Sequence, residues 1–292
     1  SRRRHTRFAK VSWALRCVQE TARRVRESGV YCEIYPWDAS EQAILKFNPA
    51  GIILSGGPES VNIENPPKAP ELIFQLSVPI LGICYGMQTM AAQLGGAVEA
   101  SDEREFGYAE INATDSLLLK GLNDAPDAKK SLLKVWMSHG DRIESIPHGF
   151  RAIASSQNSP YAAMEDLERQ YFGLQFHPEV THTLQGKKII DRFLHEICEC
   201  PHEWTSANIA NEAVKNVKKE VGGGQVLLGL SGGVDSSVVA AILHEAIGEQ
   251  LVCVFVDHGL LRYQEGDQVM QTFADNLGAV SYTHLTLPTS YA

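Results

Sequence analysis

What the 292 residues lack narrows the field first. No apolar run approaches the length of a membrane span, and no secretory signal core opens the chain. Basic excess is missing too. Lysine and arginine number 26 against 35 acidic residues, a net charge of −9, which argues against a general nucleic-acid binder. Substrate phosphates need only a local cradle, so acidity leaves nucleotide binding open. The six cysteines show no paired metal-site spacing, and Cys198-x-Cys200, at a helix end, reads as structural. Internal repeats and long low-complexity segments are absent. The length suffices for two domains, each with its own core.

What is present centres on a cysteine between two glycines. Ser77 to Ile83 reads as a buried strand, and Met87 to Leu94 as a helix stopped by Gly95-Gly96. The G-x-C-x-G between them, Gly82-Ile83-Cys84-Tyr85-Gly86, has the form of a nucleophile elbow, a turn too sharp for bulky flanks. Such a turn points its side chain at a helix amino end, where exposed N–H groups and the dipole favour a negative sulfur. A lone cysteine in a strand is more often a buried apolar residue; the two glycines argue for a nucleophile. A nucleophilic thiol without a secretion signal fits a reducing, cytosolic setting.

A cysteine nucleophile needs a base and something to orient it. Gly173-Leu174-Gln175-Phe176-His177-Pro178-Glu179 is a strand-like run, and in an extended chain residues two apart share a side. Glu179 can then hold the His177 ring. His139, His148, His182 and His195 warn against choosing a histidine by type alone. A third segment, Gly51 to Pro58, is an apolar strand entering Ser55-Gly56-Gly57-Pro58. Its glycines let backbone N–H groups approach a reacting carbonyl. With the N–H of Tyr85 they can form an oxyanion hole, where one lost donor costs about 3–4 kcal/mol of barrier.

Taken together, S-G-G-P, G-I-C-Y-G-M-Q, M-S-H-G-D (Met137 to Asp141) and F-G-L-Q-F-H-P-E-V-T-H-T (Phe172 to Thr183) resemble the class I glutamine amidotransferases. More narrowly, they resemble the amidotransferase domain that opens the glutamine-hydrolysing GMP synthases. The resemblance implies that Cys84 attacks the glutamine side-chain amide and that His177 and Glu179 complete a triad. A glutamyl thioester forms, ammonia leaves, and water releases glutamate. Motif position implies that Gly57 and Tyr85 supply oxyanion N–H groups, with Gln88 close to the substrate.

A second segment supports the narrower likeness. The apolar strand Gly224 to Leu230 leads into Ser231-Gly232-Gly233-Val234-Asp235-Ser236-Ser237, with a helix from Val238 to about Ile247. Small residues between strand and helix make a nest for phosphate. No G-K-[ST] follows, so this is not a Walker loop. It resembles the pyrophosphate loop of N-type ATP pyrophosphatases, which implies ATP and Mg²⁺ as co-substrates. Asp235 is either a carboxylate on the Mg²⁺ side or a cap for the helix. After the next strand, Leu251 to Val256, Asp257 and Arg262 are candidate nucleotide contacts or solvated loop charges.

Strands alternating with helices from about Tyr31 to Leu194 predict a parallel α/β sheet. The expected architecture is two parallel-sheet α/β domains, of class I amidotransferase and then partial ATP pyrophosphatase type. Expected boundaries are a leader over 1–20 that does not match the family, the amidotransferase over 21–203, the start of the pyrophosphatase domain over 204–280, and a non-matching tail over 281–292. Thr205 is expected to cap a helix running through Val221, stopped by Gly222-Gly223-Gly224. The family match begins with the helix at Thr21 and lacks the strand that should precede it. The resemblance implies amination of XMP to GMP, with AMP and pyrophosphate released, in a cytoplasmic homodimer formed through a region absent here. It implies no nucleic-acid or membrane partner. The 292 residues are expected to fall short of complete synthesis. Two alternatives stay open: another synthetase of this paired type, such as an NAD synthetase, and a non-catalytic product that binds nucleotide or glutamine.

Overall fold

Runs such as Gly51-Ile52-Ile53-Leu54 and Ile80-Leu81-Gly82-Ile83 are apolar at every position, as strands covered on both faces must be. In the computed structural model, which describes residues 7–12, 15–125, 131–231, 233–257, 264, 267, 271 and 281–286, both runs are fully buried central strands. The chain divides into two compact units, Ser1–Trp204 and Thr205–Ala292.

The first unit begins β1 (Arg7–Ser12), α1 (Leu15–Glu27), β2 (Tyr31–Pro36), α2 (Glu41–Phe47), β3 (Gly51–Leu54), β4 (Ile80–Ile83) and α3 (Tyr85–Gln93). It continues through β5 (Ala97–Ala113), β6 (Leu132–Ser145), β7 (Arg151–Ser155), β8 (Ala163–Asp166), β9 (Tyr171–Leu174) and α4 (Gly186–Arg192). One nine-stranded sheet takes the order β2-β1-β3-β4-β9-β8-β7-β5-β6. Alternate residues of its central strands feed two cores. Ile53, Leu81, Ile83, Phe172 and Leu174 pack with Ala22 and Val25 of α1 and Ile189 and Ile190 of α4. Ile52, Leu54, Ile80 and Tyr171 pack on the other face with Ile44 of α2 and Met87 and Met90 of α3. The site lies where β4 and β9, hydrogen-bonded side by side, both end.

The second unit contains α5 (Ser206–Val221), β10 (Val226–Leu230), α6 (Val234–Ile247), β11 (Leu251–Asp257) and β12 (Ser281–Thr286), its strands parallel in that order. Thr205 accepts the Asn208 N–H at 3.2 Å and caps α5. Among the described residues no helix is long and apolar enough to cross a membrane.

Four sequence expectations need correction. The sheet is mixed, because β5, β6, β7 and β8 run antiparallel and, among the described residues of 97–166, no helix interrupts them. The missing opening strand is supplied by β1, paired in parallel with both β2 and β3. A strand in that slot is specified by the open N–H and C=O ladders of its two neighbours, so the family's side-chain pattern is not needed to form it. β12 likewise pairs with β11 within the stretch expected to be a tail. Finally, α6 starts at Val234, four residues before the expected Val238, because the glycine-rich turn ends at Gly233.

Candidate active site

The strand that carries the thiol is fixed before the thiol is. β4 and β9 pair from Ile80↔Tyr171 to Ile83↔Leu174, and Cys84 N–H donates to the Leu174 carbonyl at 2.7 Å. There the chain reverses. Cys84 has φ 51° and ψ −110°, a sparsely populated conformation costing about 1–3 kcal/mol. Its carbonyl then accepts the N–H groups of Met87 and Gln88 at 3.0 and 3.1 Å, which starts α3. The flanking glycines are demanded by packing. A Cβ on Gly86 would lie 2.0 Å from the Leu54 carbonyl oxygen, and one on Gly82 would lie 2.7 Å from the backbone of Gly86 and Met87.

The imidazole of His177 arrives from beyond β9. His177 N–H donates to the Trp136 carbonyl at 3.0 Å, and Thr183 Oγ1 donates to the His177 carbonyl at 2.6 Å. His177 Nδ1 stands 2.9 Å from Glu179 Oε1. The sequence expects an extended segment here. Instead the chain leaves the sheet after Leu174 and turns at Pro178-Glu179, so a turn sets the side-chain contact. Proline fixes φ, and the turn is packed so closely on the start of α4 that a Cβ on Gly186 would meet the Pro178 carbonyl oxygen at 2.0 Å.

The glycine turn after β3 closes the group. A Cβ on Gly56 would lie 2.9 Å from His177 Cε1 and 3.7 Å from Cys84 Cβ, so all three segments touch at this point. A cavity of about 470 Å³ opens beside them, lined by Gly57, Ser60, Cys84, Gln88, His139 and His177 among others. Glu179 stands behind the ring, 1% exposed. The Tyr85 side chain turns away from the chemistry: its hydroxyl donates to the Pro67 carbonyl at 2.7 Å. Burial, with Glu59 and Asp141 adding, pushes that phenol up to about 12.

Electrostatics separate the two buried histidines. Burial opposes charge on His177, yet its interactions with Cys84 and Glu179 hold its pKa well above the usual 6.5. Among the described residues its Nε2 has no hydrogen-bond partner, while the Cys84 thiol donates to the Ser138 carbonyl at 3.5 Å and accepts from Gln175 Nε2 at 3.9 Å. For His139, burial dominates and lowers the pKa, against the raising influence of Glu105.

Gln88 Nε2 donates to the Asp141 carbonyl at 2.8 Å and to Gln175 Oε1 at 3.3 Å, and Ser60 Oγ donates to the Asp141 carboxylate. The wall formed by Ser138, His139 and Asp141 had only its motif M-S-H-G-D to announce it, and no role followed from that. Glu105, the partner of His139, had no local signal.

The serine and glycine loop of the second unit opens α6. Ser231 Oγ and Ser236 Oγ are 3.1 Å apart, and Gly233 N–H points at Ser231 Oγ at 3.4 Å. Ser236 and Ser237 both donate to the Gly233 carbonyl at 3.0 Å. Val234 is exposed and Asp235 lies in the first helical turn. The hydroxyls and the helix start fit an anion. A single first-turn carboxylate also fits one ligand of a phosphate-held Mg²⁺. Gly232 and Arg262 lie outside the described residues, and Asp257 ends β11.

The family model of class I glutamine amidotransferases matches residues 15–197. The chain belongs to that family. A second model, NAD synthase, matches residues 207–288, downstream of the amidotransferase. Curated relatives include a glutamine-hydrolysing GMP synthase of Alkalilimnicola ehrlichii, 62% identical over 262 residues, 89% of this chain and 50% of the relative. Another, from Thiobacillus denitrificans, is 55% identical over 276 residues, 94% of this chain and 53% of the relative. The chain thus spans about half the length of the curated relatives it matches. The crystal structure of a candidate GMP synthase subunit from Thermoplasma acidophilum superposes with a TM-score of 0.57 at 28% identity, over 67% of this chain and 95% of that one. A Thermotoga maritima glutamine amidotransferase (TM-score 0.52, 17% identity, 67% of this chain and 99% of that one) shares the fold.

Proposed function

We propose that this amidotransferase releases ammonia from glutamine as the opening half of a glutamine-hydrolysing GMP synthase. The observation that carries the reading is a buried imidazole held by Glu179 at 2.9 Å, beside a strained cysteine, at the wall of a cavity of about 470 Å³. His177 holds the proton given up by Cys84, and the sulfur attacks the side-chain carbonyl carbon of glutamine. The N–H groups of Gly57 and Tyr85 receive the developing oxyanion. His177 then returns a proton to the departing nitrogen, so ammonia leaves and a glutamyl thioester remains. Water, deprotonated by the same ring, cleaves the thioester to glutamate and frees the thiol. Glu179 stabilises the imidazolium at each stage.

In the second unit, Ser231, Gly232, Gly233, Val234, Asp235, Ser236 and Ser237 would grip the pyrophosphate of ATP, with Asp235 toward Mg²⁺. To do so, the Ser236 and Ser237 hydroxyls would exchange the Gly233 carbonyl for phosphate oxygens. ATP adenylylates XMP at its purine O2 with release of pyrophosphate, and ammonia displaces AMP to give GMP. The relatives at 55 and 62% identity favour XMP as acceptor. The NAD synthase match over 207–288 supports a second reading with a nicotinate dinucleotide acceptor. Competition between XMP and nicotinic acid adenine dinucleotide, in the presence of ATP·Mg²⁺, separates the two. A reducing, cytoplasmic setting suits the free thiol.

Glutamate release tests the first half. We expect Cys84→Ala to abolish it and His177→Ala to lower it by about 10²–10⁴-fold, the usual contribution of a general base. Equal rates for wild type and Cys84→Ala would end the assignment.

A further inference from the structure

We infer that Glu105 is a positioning residue for the glutamine pocket, acting through His139; this rests on the glutaminase reading above. Neither residue belongs to the triad, and three observations single the pair out.

The first is register. β5 and β6 pair antiparallel, and the pairing is irregular between Ala100 and Glu105. Regular pairing resumes at Glu105↔His139, followed by Phe106↔Ser138. Irregularities of this kind free a strand to bend or re-aim its side chains, and something must then restore the alignment. A directly opposed pair of polar side chains does so.

The second is hydrogen bonding. Glu105 Oε2 lies 3.2 Å from His139 Nε2, and Glu105 Oε1 accepts from Ser156 Oγ at 3.0 Å. Both carboxylate oxygens are therefore used, and the carboxylate ties β6 to the segment after β7. The side chains of His139 and Glu105 are 3% and 10% exposed, so water competes weakly for these contacts.

The third is what the His139 ring touches next. Its Nδ1 stands 3.0 Å from the Asp141 carbonyl, which also receives Gln88 Nε2 at 2.8 Å. The neighbouring Ser138 carbonyl is the acceptor for the Cys84 thiol. The Asp141 carbonyl and the Glu105 carboxylate both only accept, so a neutral His139 ring donates to one of them at a time; Glu105, on the Nε2 side, fixes how the ring sits against the stretch of wall whose carbonyls face Cys84 and Gln88. Removing Glu105 leaves the triad intact but lets the wall drift, and substrate affinity should suffer more than turnover.

The test follows glutamate release together with labelling of Cys84 by 6-diazo-5-oxo-norleucine, a glutamine mimic that needs the pocket but no turnover. Iodoacetamide, which needs only the thiol, is the control. We expect Glu105→Ala to raise the glutamine KM and the half-saturating mimic concentration about tenfold. The limiting rate should fall less than threefold, and iodoacetamide labelling should not change. Glu105→Gln, which keeps a polar group between His139 and Ser156, should recover most of the loss. His139→Ala combined with Glu105→Ala should be no worse than His139→Ala alone, because the two act as one unit. An unchanged KM in Glu105→Ala, fully additive effects, or iodoacetamide and mimic labelling falling together would overturn the inference. A wild-type chain that neither releases glutamate nor reacts with the mimic would instead defeat the glutaminase reading beneath it.

Discussion

At the scale of the residue, His177 is held between opposing influences. Burial disfavours its charge, while interaction with Cys84 and Glu179 more than compensates, so its pKa stands well above the usual 6.5. A folded-state pKa above the unfolded one means the protonated ring stabilises the fold. That stabilisation is complete below about 6.5 and is lost as pH rises through the raised value. Glu179→Gln removes the carboxylate's share. We expect the His177 ring resonance to titrate at lower pH by NMR, and thermal stability to vary less with pH above about 6.5. An unmoved titration would show that Glu179 does not govern the ring. The grouping of Cys84, His177 and Glu179 was legible because each sits in a short motif: glycines around Cys84, proline between His177 and Glu179. The Glu105–His139 pair was not, since it joins positions 34 apart through strand register alone. Nothing in the local chain reports such a contact.

At the scale of the element, the elbow exists because β3 and the start of α3 are nearly in contact. A methyl at Gly86 would sit 2.0 Å from the Leu54 carbonyl oxygen, far inside any tolerable distance, and backbone cannot swing aside as a side chain can. Gly86→Ala should therefore destabilise the first unit by about 3 kcal/mol or more, read as a shifted denaturation midpoint, since overpacking a close-packed region has that cost. Gly223→Ala, where a Cβ meets nothing within 4 Å, should stay within about 0.5 kcal/mol. Equal stability of Gly86→Ala and wild type would mean the elbow is looser than its geometry. The buried strands β3 and β4 were legible from unbroken apolar runs, and α5 from Thr205 and the glycines that end it. β1 was not, because neighbouring ladders rather than its own pattern define it. The antiparallel half was missed for a different reason. β6 does alternate, with Leu133, Val135 and Met137 buried, but a strand's own alternation does not report the direction of its neighbours.

At the scale of the molecule, the two units have separate cores, and their cores differ in quality. The first is closed on both faces of its sheet. Among its described residues the second gathers Val214, Leu230, Ala240, Ile247, Leu251 and Phe255, yet leaves Leu227 72% and Val234 78% exposed, with Val238 and Val256 also exposed. Apolar surface left in water contributes nothing to stability, at roughly 25 cal/mol per Å² forgone. Separate cores predict separate melting, and the less complete one should melt first. Calorimetry should then show two transitions. ATP·Mg²⁺ should raise only the lower, by way of the loop from Ser231 to Ser237. Glutamine added to Cys84→Ala, which cannot consume it, should raise only the upper. Binding at one hundred times the dissociation constant contributes about 2.7 kcal/mol, large enough to resolve either shift. A single transition that responds to both ligands would mean the units unfold as one body. A lower transition indifferent to ATP·Mg²⁺ would remove the nucleotide site from the second unit while leaving the glutaminase untouched, because the two assignments rest on different residues.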